Sequence, residues 1–112
     1  MSEKKSEFVV VWEFWVRAGA EAKFEKAYGP EGAWVRLFSS DLTYGGTKLV
    51  RDVGEPRRYL TLDYWASAAA YESFKRKRGG EYEVIDRDCE GLTESEKEVG
   101  RFRGLDDRGV DQ

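Results

Sequence analysis

One stretch of the chain places residues that can do chemistry at alternate positions. In the run RYLTLDYW, every second side chain is polar or aromatic, and in a β-strand these side chains share one face. They are Tyr59, Thr61, Asp63 and Trp65. A carboxylate that is removed from water has a raised pKa, which suits it to act as a general base at neutral pH. We therefore predict that Asp63 is a catalytic base on the wall of an apolar cavity.

Aromatic residues on other segments predict the remaining walls of this cavity. In the strand FVVVWEFWV, Trp12 and Phe14 belong to the inward set, and Tyr71 follows on a helix. Tryptophan rings can stack on a flat substrate, and tyrosine hydroxyls can donate hydrogen bonds to an oxyanion. The predicted catalytic residues are Asp63, Trp65 and Tyr71. The predicted substrate-binding residues are Trp12, Phe14, Tyr59 and Thr61.

Each of these residues also has a structural interpretation. Asp63 can form an ion pair with Arg58 or Arg17, and the sequence by itself favours that interpretation. Aromatic residues in strands usually pack in a core or an interface, and Thr61 is ordinary in a strand. Tyr71 has the helical spacing from its neighbours that is typical of a core residue.

Composition excludes several classes of function. The chain has 112 residues, 19 of them basic and 22 acidic, so it lacks the positive charge that draws a protein to nucleic acid. It has no histidine and a single cysteine, Cys89, which excludes an internal disulfide and an ordinary zinc site. No apolar run is long enough to span a membrane. We expect a soluble cytoplasmic protein that needs no metal and no cofactor and binds neither nucleic acid nor membranes.

Hydrophobic periodicity predicts alternating strands and helices. The strands are predicted at 8–16, 47–52, 58–65 and 98–103. Two helices are predicted at 20–28 and 30–39. A third helix begins after Ser67, its N-cap, and a fourth covers the apolar stripe over 82–92. Pro30 suits the first turn of the second helix, and Gly79 with Gly80 separates the last two. We expect a disordered N-terminal segment over 1–7, one domain over 8–103, and a mobile tail over 104–112.

This order of elements predicts an α+β fold of the ferredoxin-like, split βαβ type, β-α-β-β-α-β, with an antiparallel sheet. The link between the second and third strands is too short for a crossover, so these strands should form a hairpin. The helices would cover one face of the sheet. The first strand is apolar on both faces, so the open face predicts a homodimer.

The sequence resembles the antibiotic biosynthesis monooxygenase-like family of dimeric α/β barrel proteins over residues 8 to 103. The resemblance rests on VVWEFWVRAGAEAKFEKAYGPEGAW, GGTKLVRD, RRYLTLDYWAS with AYESF, and CEGLTESE. It implies a dimeric barrel with one cavity per subunit. Relatives include cofactor-independent oxygenases that act on anthrone-type or quinol compounds, and heme-degrading monooxygenases.

The family's site motif falls on Thr61, Trp65 and Tyr71, but this chain departs from its relatives at three positions. Oxygenases of the family have asparagine where Thr61 stands, and a hydroxyl offers fewer hydrogen bonds than an amide. Heme degraders have an asparagine on the first strand and a histidine ligand on the second helix, whereas this chain has Trp12 and Arg76. The resemblance therefore implies a cofactor-independent monooxygenase for a small aromatic molecule. The alternatives are a non-enzymatic ligand-binding domain and, less favoured, a heme-binding relative.

Overall fold

The computed structural model describes residues 8–105. Within them the chain forms one antiparallel sheet and several short helices. The strands are β1 (Phe8–Val16), β2 (Tyr44–Arg51), β3 (Arg58–Trp65) and β4 (Thr93–Arg103). The helices are α1 (Glu21–Tyr28), α2 (Ala33–Phe38), α3 (Ala68–Lys77), α4 (Gly79–Cys89) and a 3₁₀ turn at Glu90–Leu92. This is the predicted α+β, ferredoxin-like order of elements.

The sheet has the strand order β2-β3-β1-β4, and every neighbouring pair is antiparallel. The predicted hairpin is therefore confirmed, with Thr47 opposite Asp63 and Arg51 opposite Tyr59. β1 lies between β3 and β4, which makes it a central strand. Its register places Val10 opposite Asp63.

An aromatic core fills the space between the sheet and the helices. Val10, Phe14 and Val16 of β1 are buried there, because alternate residues of a strand share one face. The ring of Phe24 on α1 packs against Phe14 and other rings of this core. Such tilted ring pairs stabilise beyond the area that they bury.

The opposite face of the sheet carries apolar side chains without a helix over them. This face includes Val9, Val11, Trp15, Leu60 and Leu62, which alternate with the core residues in register. One carboxylate lies among them, and its charge is balanced. Glu13 accepts a hydrogen bond of 2.6 Å from Arg58, which also bonds Asp52 at 2.8 Å.

Several boundaries differ from the predicted ones. β2 begins at Tyr44 instead of 47, because the strand continues through a bulge where Gly46 adopts φ +114. α2 begins at Ala33, so Pro30 lies in the preceding turn and not in the helix. β4 begins at Thr93, five residues before the predicted start, because pairing with β1 continues to the end of that strand.

Other local predictions are confirmed, one of them only in part. Ser67 caps α3 by accepting a hydrogen bond of 3.0 Å from the Ala70 amide. The predicted break between α3 and α4 exists, but it lies at Arg78, and Gly79 and Gly80 form the first turn of α4 instead of separating the helices. Segments 1–7 and 106–112, including most of the predicted tail, lie outside the described residues. Between residues 8 and 105, no helix is long and apolar enough to cross a membrane.

The substitution Phe24→Ala tests the core. Phe24 is 0% exposed, and its ring centroid lies 5.2, 4.3 and 4.8 Å from those of Phe14, Tyr28 and Tyr59. We expect a loss of about 3–5 kcal/mol in the free energy of unfolding, measured by urea denaturation. Leu42→Ala removes a fully exposed side chain and should change the free energy of unfolding by less than about 0.5 kcal/mol. Equal effects of the two variants would contradict this packing.

Candidate functional site

A pocket opens between the helices and the sheet. Its walls come from all four strands and from α1, α2 and α4. Six wall residues are aromatic, namely Trp12, Phe14, Tyr28, Trp34, Phe38 and Tyr82. The others are polar or acidic, namely Thr47, Thr61, Asp63, Asp86 and Glu96. The pocket is partly open to solvent and has a volume of about 50 Å³, which accommodates only a few non-hydrogen atoms.

Asp63 is a partly buried carboxylate on the pocket wall. Thr47, its partner across the β2–β3 ladder, donates a hydrogen bond of 2.6 Å to Asp63 Oδ1. Among the described residues, no other group donates to this carboxylate and no cation pairs with it. Burial raises the pKa of Asp63 to about 6, because the hydrogen bond from Thr47 only partly offsets the loss of hydration.

The predicted ion pair of Asp63 is wrong. Arg58 precedes Asp63 by five positions along β3, an odd number, so it lies on the opposite face of the sheet and bonds Glu13 and Asp52 there. The Arg17 guanidinium donates instead to the carbonyl oxygen of Gly91 at 3.1 Å. Asp63 is therefore left without a neutralising partner from the described residues.

A chain of hydroxyl groups ends at Asp63. An ionised carboxylate only accepts hydrogen bonds, so Thr47 donates its single proton to Asp63. The Thr47 oxygen is also hydrogen-bonded to the Tyr44 hydroxyl, which must be the donor in that pair. Tyr44 thus orients Thr47, and Thr47 holds one carboxylate oxygen in place.

Four of the seven residues predicted for the site lie on the pocket wall. They are Trp12, Phe14, Thr61 and Asp63. Trp65 and Tyr71 lie deeper, 1% and 3% exposed, with their ring centroids 5.5 Å apart in the core. Both are close to the pocket without lining it.

Tyr59 lies away from the pocket, near the outer edge of α1. Its hydroxyl donates a hydrogen bond of 2.6 Å to Glu25, and Arg51 bonds both of these residues at 3.2 and 3.1 Å. This network ties α1 to the sheet. In the described structure Tyr59 makes structural contacts, and its predicted contact with substrate stays a prediction.

The acidic residues on the pocket wall are not balanced by basic ones. Asp63, Asp86 and Glu96 line the pocket, and no lysine or arginine within residues 8–105 does so. The pKa of Glu96 is raised, first by burial and then by the nearby charges of Asp86 and Glu90. Burial likewise raises the pKa of Tyr71 to about 12, so its hydroxyl remains a donor at neutral pH.

Sequence reasoning missed several wall residues. Thr47 had a usable signal, because counting the hairpin register back from the turn places it opposite Asp63. Tyr82 and Asp86 are spaced i, i+4 on α4 and therefore share a helix face. Nothing in the sequence indicates which helix meets the pocket, because Trp34 reaches Tyr82 only through tertiary packing, with ring centroids 4.9 Å apart.

The acidic groups do not form a metal site. Within residues 8–105, no group of three or more histidine, cysteine, aspartate or glutamate side chains is arranged to hold a metal ion. Cys89 is a buried free thiol, as predicted. Its pKa is raised, chiefly by burial, which is typical of an unreactive cysteine.

A sequence profile described as "antibiotic biosynthesis monooxygenase" matches residues 7–79 of this chain. The chain belongs to the antibiotic biosynthesis monooxygenase family. The family match includes Asp63, Trp65 and Tyr71 and ends before Tyr82, Asp86 and Glu96. A search of curated proteins found no match to the sequence.

Solved structures show the same fold at low sequence identity. SnoaB, a cofactor-independent oxygenase from Streptomyces nogalater, is 19% identical over 91% of this chain and 96% of its own, with a TM-score of 0.72. The protein PA3566 from Pseudomonas aeruginosa is 13% identical over 94% of this chain and 100% of its own, with a TM-score of 0.66. A NIPSNAP family protein from Agrobacterium tumefaciens is 15% identical over 88% of this chain and 91% of its own, with a TM-score of 0.63. These proteins share the fold of this family member.

The substitution Asp63→Asn tests the raised pKa of this carboxyl group. The folded state binds the proton more tightly than the unfolded state, so the stabilising contribution is complete below pH 3.8 and is lost as the pH rises through about 6. Asparagine removes this loss. We therefore expect the free energy of unfolding of Asp63→Asn, relative to that of the parent, to increase by about 2–3 kcal/mol from pH 4 to pH 8. Urea denaturation at each pH measures this difference.

Asp41→Asn provides the control of opposite sign. The side chain and backbone of Thr43 donate hydrogen bonds to Asp41 and lower its pKa. Its stabilising contribution is therefore present above the unfolded pKa and lost in acid. This variant should lose stability relative to the parent as the pH rises. If the free energies of unfolding of the parent and of Asp63→Asn differ by the same amount at every pH, the pKa of Asp63 is not raised.

Proposed function

We propose that the protein is a cofactor-independent monooxygenase that oxidises a small, electron-rich aromatic or quinol-type molecule. The observation that carries the proposal is Asp63, a carboxylate on the pocket wall without a cationic partner from the described residues, whose pKa of about 6 suits a general base. Family membership and the shared fold of a cofactor-independent oxygenase support it.

In the proposed reaction, Asp63 removes a proton from an acidic C–H or O–H group of the substrate. The resulting anion is electron-rich enough to reduce dioxygen directly. For an anthrone-type substrate, a CH₂ group becomes C=O, and the second oxygen atom leaves as water with the two hydrogens. The substrate supplies all the electrons, so the balance needs no other reductant. Thr47 keeps Asp63 oriented throughout.

The size of the pocket limits how such a substrate binds. Ligand-binding pockets usually have volumes of about 300–1,000 Å³. The volume of about 50 Å³ beside Asp63 has room for dioxygen and the reacting edge of a ring. In this proposal the remainder of the substrate lies across the open side, where Trp12 is only partly buried and offers a ring face.

A non-enzymatic ligand-binding domain is the second candidate. The small volume favours it, as does the dense packing around Trp65, whose ring lies 4.9 Å from Phe74 and 5.2 Å from Tyr44. A heme-binding role has less support, because Arg76, at the position of the family's histidine ligand, is exposed on α3. The pocket is also far smaller than a porphyrin.

We further propose that the protein is a homodimer joined through the open face of the sheet. Val9, Val11, Leu60 and Leu62 form an apolar surface there, and pairing with a second copy would remove it from water. Glu13 is already neutralised by Arg58 within this surface, so burial of the face leaves no unpaired charge at that position.

Oxygen consumption in the presence of anthrone and hydroquinone tests the proposed activity. We expect uptake above the buffer rate that rises as the pH passes through about 6, where Asp63 ionises. Asp63→Asn should lower the rate about 100-fold or more, because it removes the base. Asp88 is exposed on α4 and lies outside the pocket, so Asp88→Asn should not lower the rate. Equal rates for the parent, Asp63→Asn and Trp65→Phe would leave only the binding candidate.

Light scattering at micromolar concentration tests the homodimer. The measured mass should be twice the chain mass of 12.9 kDa. Leu62→Lys places a charge on the open face and should yield monomers, whereas Leu42→Lys, in an exposed turn, should not change the mass. A monomeric parent protein would contradict the barrel arrangement.

A further inference from the structure

The pocket presents negative charge at its open side. Asp86 on α4 and Glu96 on β4 are the exposed residues of its wall, and neither forms an ion pair with a described residue. They lie near enough to each other that Asp86 helps to raise the pKa of Glu96. Two uncompensated carboxylates at one entrance repel anions and attract cations.

Aromatic side chains share the pocket wall with these carboxylates. Tyr82 is one turn before Asp86 on α4, and the charge of Asp86 contributes to its raised pKa. Tyr28 likewise lies close to Glu96. Aromatic rings together with carboxylates are the groups that bind organic ammonium ions, through cation–π attraction and charge pairing. A neutral ligand gains only the packing against the rings, and an anionic ligand is repelled by the carboxylates.

The proposed proton transfer also favours a substrate that carries a positive charge. Proton transfer to Asp63 would create a substrate anion in a pocket to which the described part of the chain contributes no lysine or arginine. Asp86 and Glu96 would destabilise that anion. A positive group on the substrate itself, held at the entrance, would offset this repulsion and leave Asp63 facing the acidic hydrogen.

We propose that the pocket selects small aromatic molecules that carry a protonated amine, with the ammonium group between Asp86 and Glu96 and the ring directed toward Trp12 and Asp63. This inference names the ligand class of the proposed function and uses the same site. A metal cation is not the occupant, because the described acidic side chains are not arranged to ligate one ion.

One basic side chain, that of Lys75, lies near the pocket but does not line it. Lys75 of α3 lies over the ring of Tyr82, with its ammonium nitrogen 5.0 Å from the ring centroid, and is not part of the pocket wall. It occupies a face of Tyr82 and shows that this ring accommodates an ammonium group at close range. The carboxylates at the entrance remain without a partner from the described residues.

Three phenols that differ in charge but have similar size test the proposal. They are tyramine, a cation, para-ethylphenol, which is neutral, and para-hydroxyphenylpropionate, an anion. Binding is measured by titration calorimetry without oxygen, so that affinity is separated from turnover. Tyramine should bind about tenfold more tightly than para-ethylphenol, and the anion more weakly than both. The preference should shrink as salt is added.

The variant Asp86→Asn with Glu96→Gln should reduce the preference for tyramine to less than about twofold while para-ethylphenol binds as before. The control Glu83→Gln with Asp88→Asn removes the same charge from exposed positions of α4 outside the pocket and should retain the preference. A tighter-binding neutral or anionic phenol, a preference that survives the entrance variant, or no binding by folded protein would overturn the proposal. Selective binding without oxygen uptake would support it and refute only the oxygenase activity.

Discussion

The structure depends on the two apolar faces of β1. This strand has almost no polar side, and its position between β3 and β4 presents each face to a different environment. One face packs into the aromatic core, and the other forms the open apolar surface. Because antiparallel partners share a face across the ladder, the orientation of β1 also decides where its neighbours point. Val10 is buried in the core, so Asp63 opposite it must face inward as well.

The inward position of Asp63 has a cost that the fold tolerates. A carboxylate inside an apolar layer is normally paired with a cation, and here a single hydroxyl from Thr47 takes that place. The result is a group that is held firmly and resists ionisation. Such a local conflict with stability is common where a protein needs a reactive group. The surrounding aromatic core supplies the stability that the site lacks.

The strands were largely predictable, while the site was predictable only in part. Alternation fixes which residues of β1 and β3 share a face, so Trp12, Thr61 and Asp63 were assigned to one cavity from the sequence. The partner of Asp63 was not predicted, because Arg58 lies on the same strand, five positions away, but on the other side of the sheet. The packing of Trp34 against Tyr82 depends on how α2 and α4 meet, which no local pattern encodes.

The pocket wall combines two parts of the chain, only one of which the family profile covers. Asp63 and Thr47 lie within the segment that matches the family, whereas Tyr82, Asp86 and Glu96 come after its end at residue 79. Substitutions in the later segment can alter which molecules enter without disturbing the strand pair that holds the carboxylate. Such changes would vary the ligand of this scaffold and leave the proposed proton acceptor, Asp63, in place.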